Sequence, residues 1–145
     1  QRQMCIRDSG SKKRPIMLHR VCFGSIERFI GILIEHFAGK FPLWLSPVQV
    51  KVIPVSEKSM DYATGVYEKL RAAGIRTELD NKDEKVGYKI RQAQLEKVPY
   101  MLVLGEKEAA AGTITVRSRD NGDLGTANLD SFVEEILKMI ASKEK

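Results

Sequence analysis

The run from Asp80 to Arg119, DNKDEKVGYKIRQAQLEKVPYMLVLGEKEAAAGTITVRSR, narrows the possible folds more than any other part of the chain. It leads from a charged loop through a short amphipathic helix into Tyr100–Leu104, an unbroken apolar stretch of the kind found in strands buried on both faces. Gly105 to Gly112 then reads as a turn carrying Glu108, and Thr113–Ser118 as a second strand carrying Arg117. A strand entered from a helix takes a parallel neighbour, whereas one entered through a short turn takes an antiparallel neighbour. The sheet is therefore expected to be mixed, with a polar rim of donors and acceptors held out by two strands. Such a rim suits unstacked bases, whose Watson–Crick edges need several directed hydrogen bonds at once.

The flanking residues extend the pattern. Val48, Val50 and Val52 alternate as a strand that Pro54 ends. A helix over about Lys58–Ala73, with Ala63, Val66, Tyr67 and Leu70 inward, stops at Gly74. Ile75–Leu79 reads as a strand, and about Val86–Lys97 as a helix with Val86, Ile90 and Ala93 inward. The order βαβαβ favours right-handed crossovers. Asp120–Gly125 reads as a turn, and Asp130 as the cap of a closing helix with Val133, Ile136, Leu137 and Ile140 inward. The fold class is α/β: a mixed, mostly parallel sheet of five strands or fewer, flanked by about three helices.

Upstream, Ile16–Phe23 reads as a strand after Pro15. Ser25 then caps a helix with Ile26, Phe29, Ile30, Leu33, Ile34 and Phe37 on one face, ended by Gly39. Lys40–Pro47, with two prolines and the single tryptophan, looks like a linker packed on a neighbour. Residues 1–9 have no periodicity and no relation to the rest of the chain, and read as foreign sequence. The expected divisions are 1–9, a strand–helix piece over 10–46, and a domain over 47–145.

Composition adds limits. Hydrophobic and charged fractions of 43% and 30% are those of a globular domain. The net charge of +5 hints at nucleic acid, yet Arg2, Arg7, Lys12, Lys13, Arg14 and Arg20 against Asp8 account for all of it. The chain from Val21 onward is balanced, so a nucleic-acid reading must rest on placed residues rather than on bulk charge. Cys5 and Cys22 form neither a close pair nor a zinc motif, which favours a reducing cytoplasm. Phe29–Leu45 is interrupted by Glu35, His36, Gly39, Lys40 and Pro42, so no membrane span is expected.

Each candidate site has a plain reading beside its functional one. Arg28, one turn into a helix after a strand, can neutralise a polyphosphate, or can simply pair with Glu27 or Glu35. His19 can ligate zinc, but a lone histidine is usually an ordinary polar residue. Lys82, Asp83, Glu84 and Lys85 precede a helix N-terminus with Lys89 and Arg91 just inside it; the helix dipole and these cations can hold phosphates, or the run is a solvated charged face. Glu108 can accept from the N1 and N2 protons of a guanine and Arg117 can donate to base acceptors, or both are surface charges. Tyr88 can stack on a base, or pack half-buried.

Taken together, these stretches carry a resemblance. RPIMLHRVCFGSIERFIGILIEHFAGKFPLWLSPVQV, EKVGYKIR, VPYMLVLGEKE and the Thr-Val-Arg strand resemble the C-terminal end of the bacterial threonyl-tRNA synthetase family, from Arg14 onward. The resemblance implies that residues 10–46 are the last strand and helix of a class II catalytic domain, and that 47–145 is an anticodon-binding domain. It implies that Arg28 is the motif 3 arginine that contacts ATP, with Ser25 beside it in the active site. It also implies that His19 is one of three zinc ligands that recognise threonine in the full-length parent. Motifs 1 and 2 and the other two ligands are not in this sequence, so no zinc, no bound ATP and no independent adenylation are expected of the piece.

The resemblance further makes Glu108 and Arg117 the pair that reads the anticodon loop of threonine tRNA, with its central G and third U. Asp83, Lys85, Lys89 and Arg91 are expected to share in anticodon binding, Asp83 standing where the family usually has Asn and so lacking the amide donor. The parent family charges threonine tRNA with threonine using ATP, in the cytoplasm, as a homodimer. The competing reading is a non-catalytic accessory module that uses an anticodon-binding-type domain to bind RNA or protein.

Overall fold

The computed structural model describes residues 5–6, 12–13, 18 and 20–143. These fall into two compact units, residues 1–32 and 33–145, divided within helix α1 (Ile26–Phe37). In the first unit, β1 (Cys5–Ile6) pairs antiparallel with β2 (Lys12–Lys13). The strand expected over Ile16–Phe23 is not formed at its described positions, Leu18 and residues 20–23. No described strand lies alongside these positions, and an extended segment without a ladder leaves its backbone groups to water. Val21 and Phe23 are accordingly exposed.

Helix α1 begins where its sequence places it. The Ser25 hydroxyl accepts from the Arg28 N–H at 3.4 Å, and the Ser25 carbonyl accepts from the Phe29 N–H at 3.1 Å. The apolar face is present, but no residue of the helix is buried.

The second unit is built on a sheet of order β4-β3-β5-β6-β7. Its strands are β3 (Val50–Pro54), β4 (Thr77–Leu79), β5 (Tyr100–Leu104), β6 (Thr113–Ser118) and β7 (Gly122–Asn128). Strand β3 runs parallel to both β4 and β5, while β5–β6 and β6–β7 are antiparallel, so the two kinds of pairing are equal in number rather than mostly parallel. Helices α2 (Met60–Ala72), α3 (Val86–Leu95), α4 (Glu106–Ala111) and α5 (Leu129–Ser142) complete the unit.

Three details differ from the sequence reading. The segment after Gly105 is a helix, not a turn: Glu106 and Glu108 sit in its first turn, alanines fill it, and Gly112 ends it in the left-handed region at φ 65°. Left-handed backbone suits glycine because it has no Cβ to clash. Most of Asp120–Gly125 belongs to strand β7, held by the ladder of β6 rather than by any alternation of its own. The cap of α5 is Asn128, whose side chain accepts from the Asp130 N–H at 2.8 Å; Asp130 lies inside the helix.

The two faces of the sheet are covered unequally. Val50, Val52, Leu102, Leu104, Ile114 and Val116 form the main core with Ala63, Val66 and Leu70 of α2 and Leu129, Phe132 and Ile136 of α5. On the other face, Ile53 and Met101 pack with Ala93 and Ile90 of α3. Lys51, also on that face, is buried, with its ammonium 2.6 Å from Glu96 and 3.7 Å from Glu78.

The compact unit reaches back ahead of residue 47 because the Lys40–Pro47 loop is fastened to it. Leu43 enters the main core. Gln49 donates to the Leu43 carbonyl at 2.9 Å, Arg76 to the carbonyls of Ser46 and Trp44 at 2.9 and 2.8 Å, and Arg119 to the Phe41 carbonyl at 3.1 Å.

Candidate nucleic-acid interface

Strand β6 alternates strictly: Ile114, Val116 and Ser118 are buried, whereas Thr113, Thr115 and Arg117 are half-buried on the opposite face. That opposite face is the one α3 covers only over β3 and Met101, which leaves β6 and β7 accessible. Antiparallel strands tolerate such one-sided solvation. Thr115 pairs with Val103 on one side and Thr126 on the other, and Arg117 with Met101 and Asp123. Successive same-face residues lie about 7 Å apart along a strand, so Thr115 and Arg117 form one short polar row.

Glu108 joins this row from α4. Its Oε2 accepts from the Gly105 N–H at 3.0 Å, and its Oε1 accepts from the Thr115 hydroxyl at 3.0 Å. The expectation of a turn residue with its acid free is thus corrected: Glu108 is a helix residue with both oxygens held. The two carboxylate oxygens have about four acceptor positions between them, and with Gly105, Thr115 and its own main-chain N–H as donors the half-buried Glu108 still keeps an acceptor position for a ligand. Its own main-chain N–H, together with Thr115, Gly105 and the nearby Lys107, lowers the Glu108 carboxyl below its ordinary pKa despite the opposing effect of burial.

The side chain of Arg117, half-buried, makes no hydrogen bond or ion pair with any described residue, so its guanidinium donors are unengaged. An anchored acceptor and an unengaged planar donor therefore share one open face. That combination can meet both kinds of group on a nucleotide base edge.

The remaining candidates divide. Asp83 and Lys85 are exposed in the loop before α3, with Lys85 at the helix cap position. Arg91 is exposed and lies one turn from Tyr88 on the outer side of α3, where Tyr88 is 48% exposed and its hydroxyl accepts from Gln92 at 2.8 Å. Lys89 is a correction. It is 5% exposed and donates to the Asp80 carbonyl at 3.3 Å, because its place between Val86 and Ala93 on the inward face of α3 turns it toward the sheet.

In the first unit, the Ser25 hydroxyl donates to Glu27 at 2.8 Å, and Arg28 is exposed with neither Glu27 nor Glu35 as an ion partner. His19 lies outside the described residues. Among the described residues no group of three or more His, Cys, Asp and Glu side chains could hold a metal ion. Nor is any helix among them long and apolar enough to cross a membrane.

Sequence reasoning passed over Thr115 and Gly105. Both left a signal: Gly105 and Glu108 have the spacing of a helix cap and a third-position glutamate, and Thr115 stands two residues before Arg117, which puts it on the same strand face.

Residues 49–139 match the anticodon binding domain family. The chain is 62% identical over 139 residues to threonine–tRNA ligase of Clostridioides difficile, a match covering 96% of this chain and 22% of that protein. It is also 62% identical, over 138 residues, to threonine–tRNA ligase of Caldanaerobacter subterraneus, covering 95% and 21%. The chain thus spans about a fifth of the length of these relatives. Among solved structures, the RNA binding domain of threonyl-tRNA synthetase from Cryptosporidium parvum superimposes with a TM-score of 0.75 at 37% identity, covering 88% of this chain and 32% of that one.

Proposed function

The chain belongs to the anticodon-binding domain family, and from that premise we propose that it is part of a threonine–tRNA ligase and recognises the anticodon loop of threonine tRNA. The observation that carries this reading is the open face of β6, where Glu108 and Arg117 present complementary hydrogen-bonding groups. A guanine edge offers N–H donors, one of which fits the acceptor position that the Glu108 carboxylate keeps beside its own partners. The Arg117 guanidinium supplies donors for the oxygens of a neighbouring base or phosphate. Lys85 and Arg91 supply contacts to the backbone that position the loop without reading sequence.

The whole protein, on this reading, joins threonine to its tRNA at the expense of ATP. Arg28 then serves the ATP triphosphate and Ser25 stands beside it. His19 belongs to a zinc site that the described residues do not complete, so no zinc chemistry is derived for this chain. High identity to two threonine–tRNA ligases over nearly all of this chain supports the amino-acid assignment.

Filter binding of the 145-residue chain with threonine tRNA and with transcripts changed at the central G or third U of the anticodon tests the reading. The expected loss is about 1–3 kcal/mol per changed base, by analogy with bidentate base contacts in DNA grooves. Equal affinity for all transcripts would overturn it and leave a module that binds RNA or protein without reading the anticodon.

A further inference from the structure

We infer that Gly105 and Thr115 are positioning residues for Glu108, which fix its carboxylate in the orientation that selects the base it meets. The inference rests on the proposed anticodon reading and adds a specificity device to it.

Three observations converge. The two oxygens of Glu108 are held from two different elements: Oε2 by the Gly105 main chain where β5 passes into α4, and Oε1 by the Thr115 hydroxyl on β6. A carboxylate held at both ends cannot rotate about its terminal torsion, a torsion that is otherwise broad. Gly105 is moreover a glycine for a steric reason. Its φ of −103° is open to any residue, but a Cβ built there would lie 2.9 Å from Glu108 Oε2 and 3.7 Å from Val55. Any larger residue pushes the carboxylate away.

The third observation is the position of Thr115, which shares its strand face with Arg117 two residues on. The hydroxyl that orients the acid is thus built into the same strand as the guanidinium, and the spacing between the two base-reading groups follows the strand repeat. Thr115 is half-buried, and its hydroxyl is engaged by Glu108. The other titratable groups that bear on Glu108 are Lys107 on its own helix and Tyr62 on α2, whose hydroxyl is occupied by the Thr113 carbonyl at 2.9 Å. Neither makes a hydrogen bond to the carboxylate.

The test uses Thr115→Val, which keeps the shape and β preference of the side chain but removes the donor, Thr115→Ser, which keeps the donor, and Gly105→Ala. Two readouts are taken on the 145-residue chain: the affinity ratio between threonine tRNA and its central-base variant, and the Glu108 carboxyl titration followed by carbon NMR without RNA. Thr115→Val and Gly105→Ala are expected to lower the ratio about tenfold. Both should move the Glu108 titration toward higher pH, and Thr115→Ser should restore both readouts.

Placed in a Glu108→Gln background, neither change should lower the ratio further. A Glu108 titration unmoved by Thr115→Val and Gly105→Ala overturns the positioning inference whatever the RNA does. So does a ratio unchanged by both while Glu108→Gln lowers it, or a Thr115→Ser variant as impaired as Thr115→Val. If the unsubstituted chain shows no ratio at all, the anticodon reading itself fails, and the titration alone decides the positioning inference.

Discussion

Three basic residues of the second unit are used in different ways. The Arg117 side chain is half-buried and unengaged, and Arg117→Ala is expected to relax discrimination at one anticodon base. Lys85 is exposed at the start of α3, and Lys85→Ala should weaken all transcripts alike and reduce the salt slope of binding by about one. The same loss pattern for both variants in a salt-titrated binding series would show the roles to be misassigned. Lys51 is buried, and its charge is kept by partners. Burial disfavours its ammonium, but the Glu96 hydrogen bond and the charges of Glu78, Glu96 and Asp80 outweigh that and raise its pKa. A raised lysine pKa stabilises the fold fully below the ordinary lysine value of about 10.4, and the contribution is lost as pH rises through the higher folded value. Lys51→Met should therefore cost about 1–2 kcal/mol at neutral pH, the partners being half exposed and able to rehydrate. Denaturant melts should also show a flatter alkaline limb for the variant than for the parent chain.

Helix ends are where local sequence and observed structure part most clearly. Asn128 caps α5 through its side chain while Asp130 sits a turn position later. Asn128→Ala should cost about 1 kcal/mol of stability, and Asp130→Ala only a few tenths through the helix dipole; thermal melts of the two variants give the order. Both residues are competent caps in isolation, and the choice between them is made by β7, which runs through Asn128 and brings the chain to α5 two residues earlier than the pattern suggests. Tyr100–Leu104 and Thr113–Ser118 were legible to the residue because burial on two faces and strict alternation each leave a periodic trace. Helix α4 left less, being a run of alanines between two glycines that reads equally as a turn. Strand β7 left none: Gly122, Gly125 and exposed polar residues have no apolar rhythm, and pairing with β6 makes the strand. For the site, the chemical types Glu108 and Arg117 were legible, and the clamp on Glu108 was not, because it depends on α4 standing against β6.

Across the whole molecule, positive charge is concentrated at the start of the chain, and the remainder is electrically balanced. Affinity for RNA must then come mainly from directed contacts on one sheet face, with a modest salt dependence compared with proteins that neutralise many phosphates. The uneven cover of the sheet makes that face available: α2 and α5 close one side, while α3 stops at β3 and Met101 on the other. On the proposed function this uncovered strip is the surface that meets RNA. Amide chemical shifts of the labelled chain, followed while an anticodon stem–loop of threonine tRNA is added, test it most directly. The shifts are expected to concentrate on Gly105, Glu108, Thr115, Arg117 and Thr126, with a weaker set at Lys85 and Tyr88. Perturbations confined to α2, α5 or β4, with that strip unmoved, would contradict it.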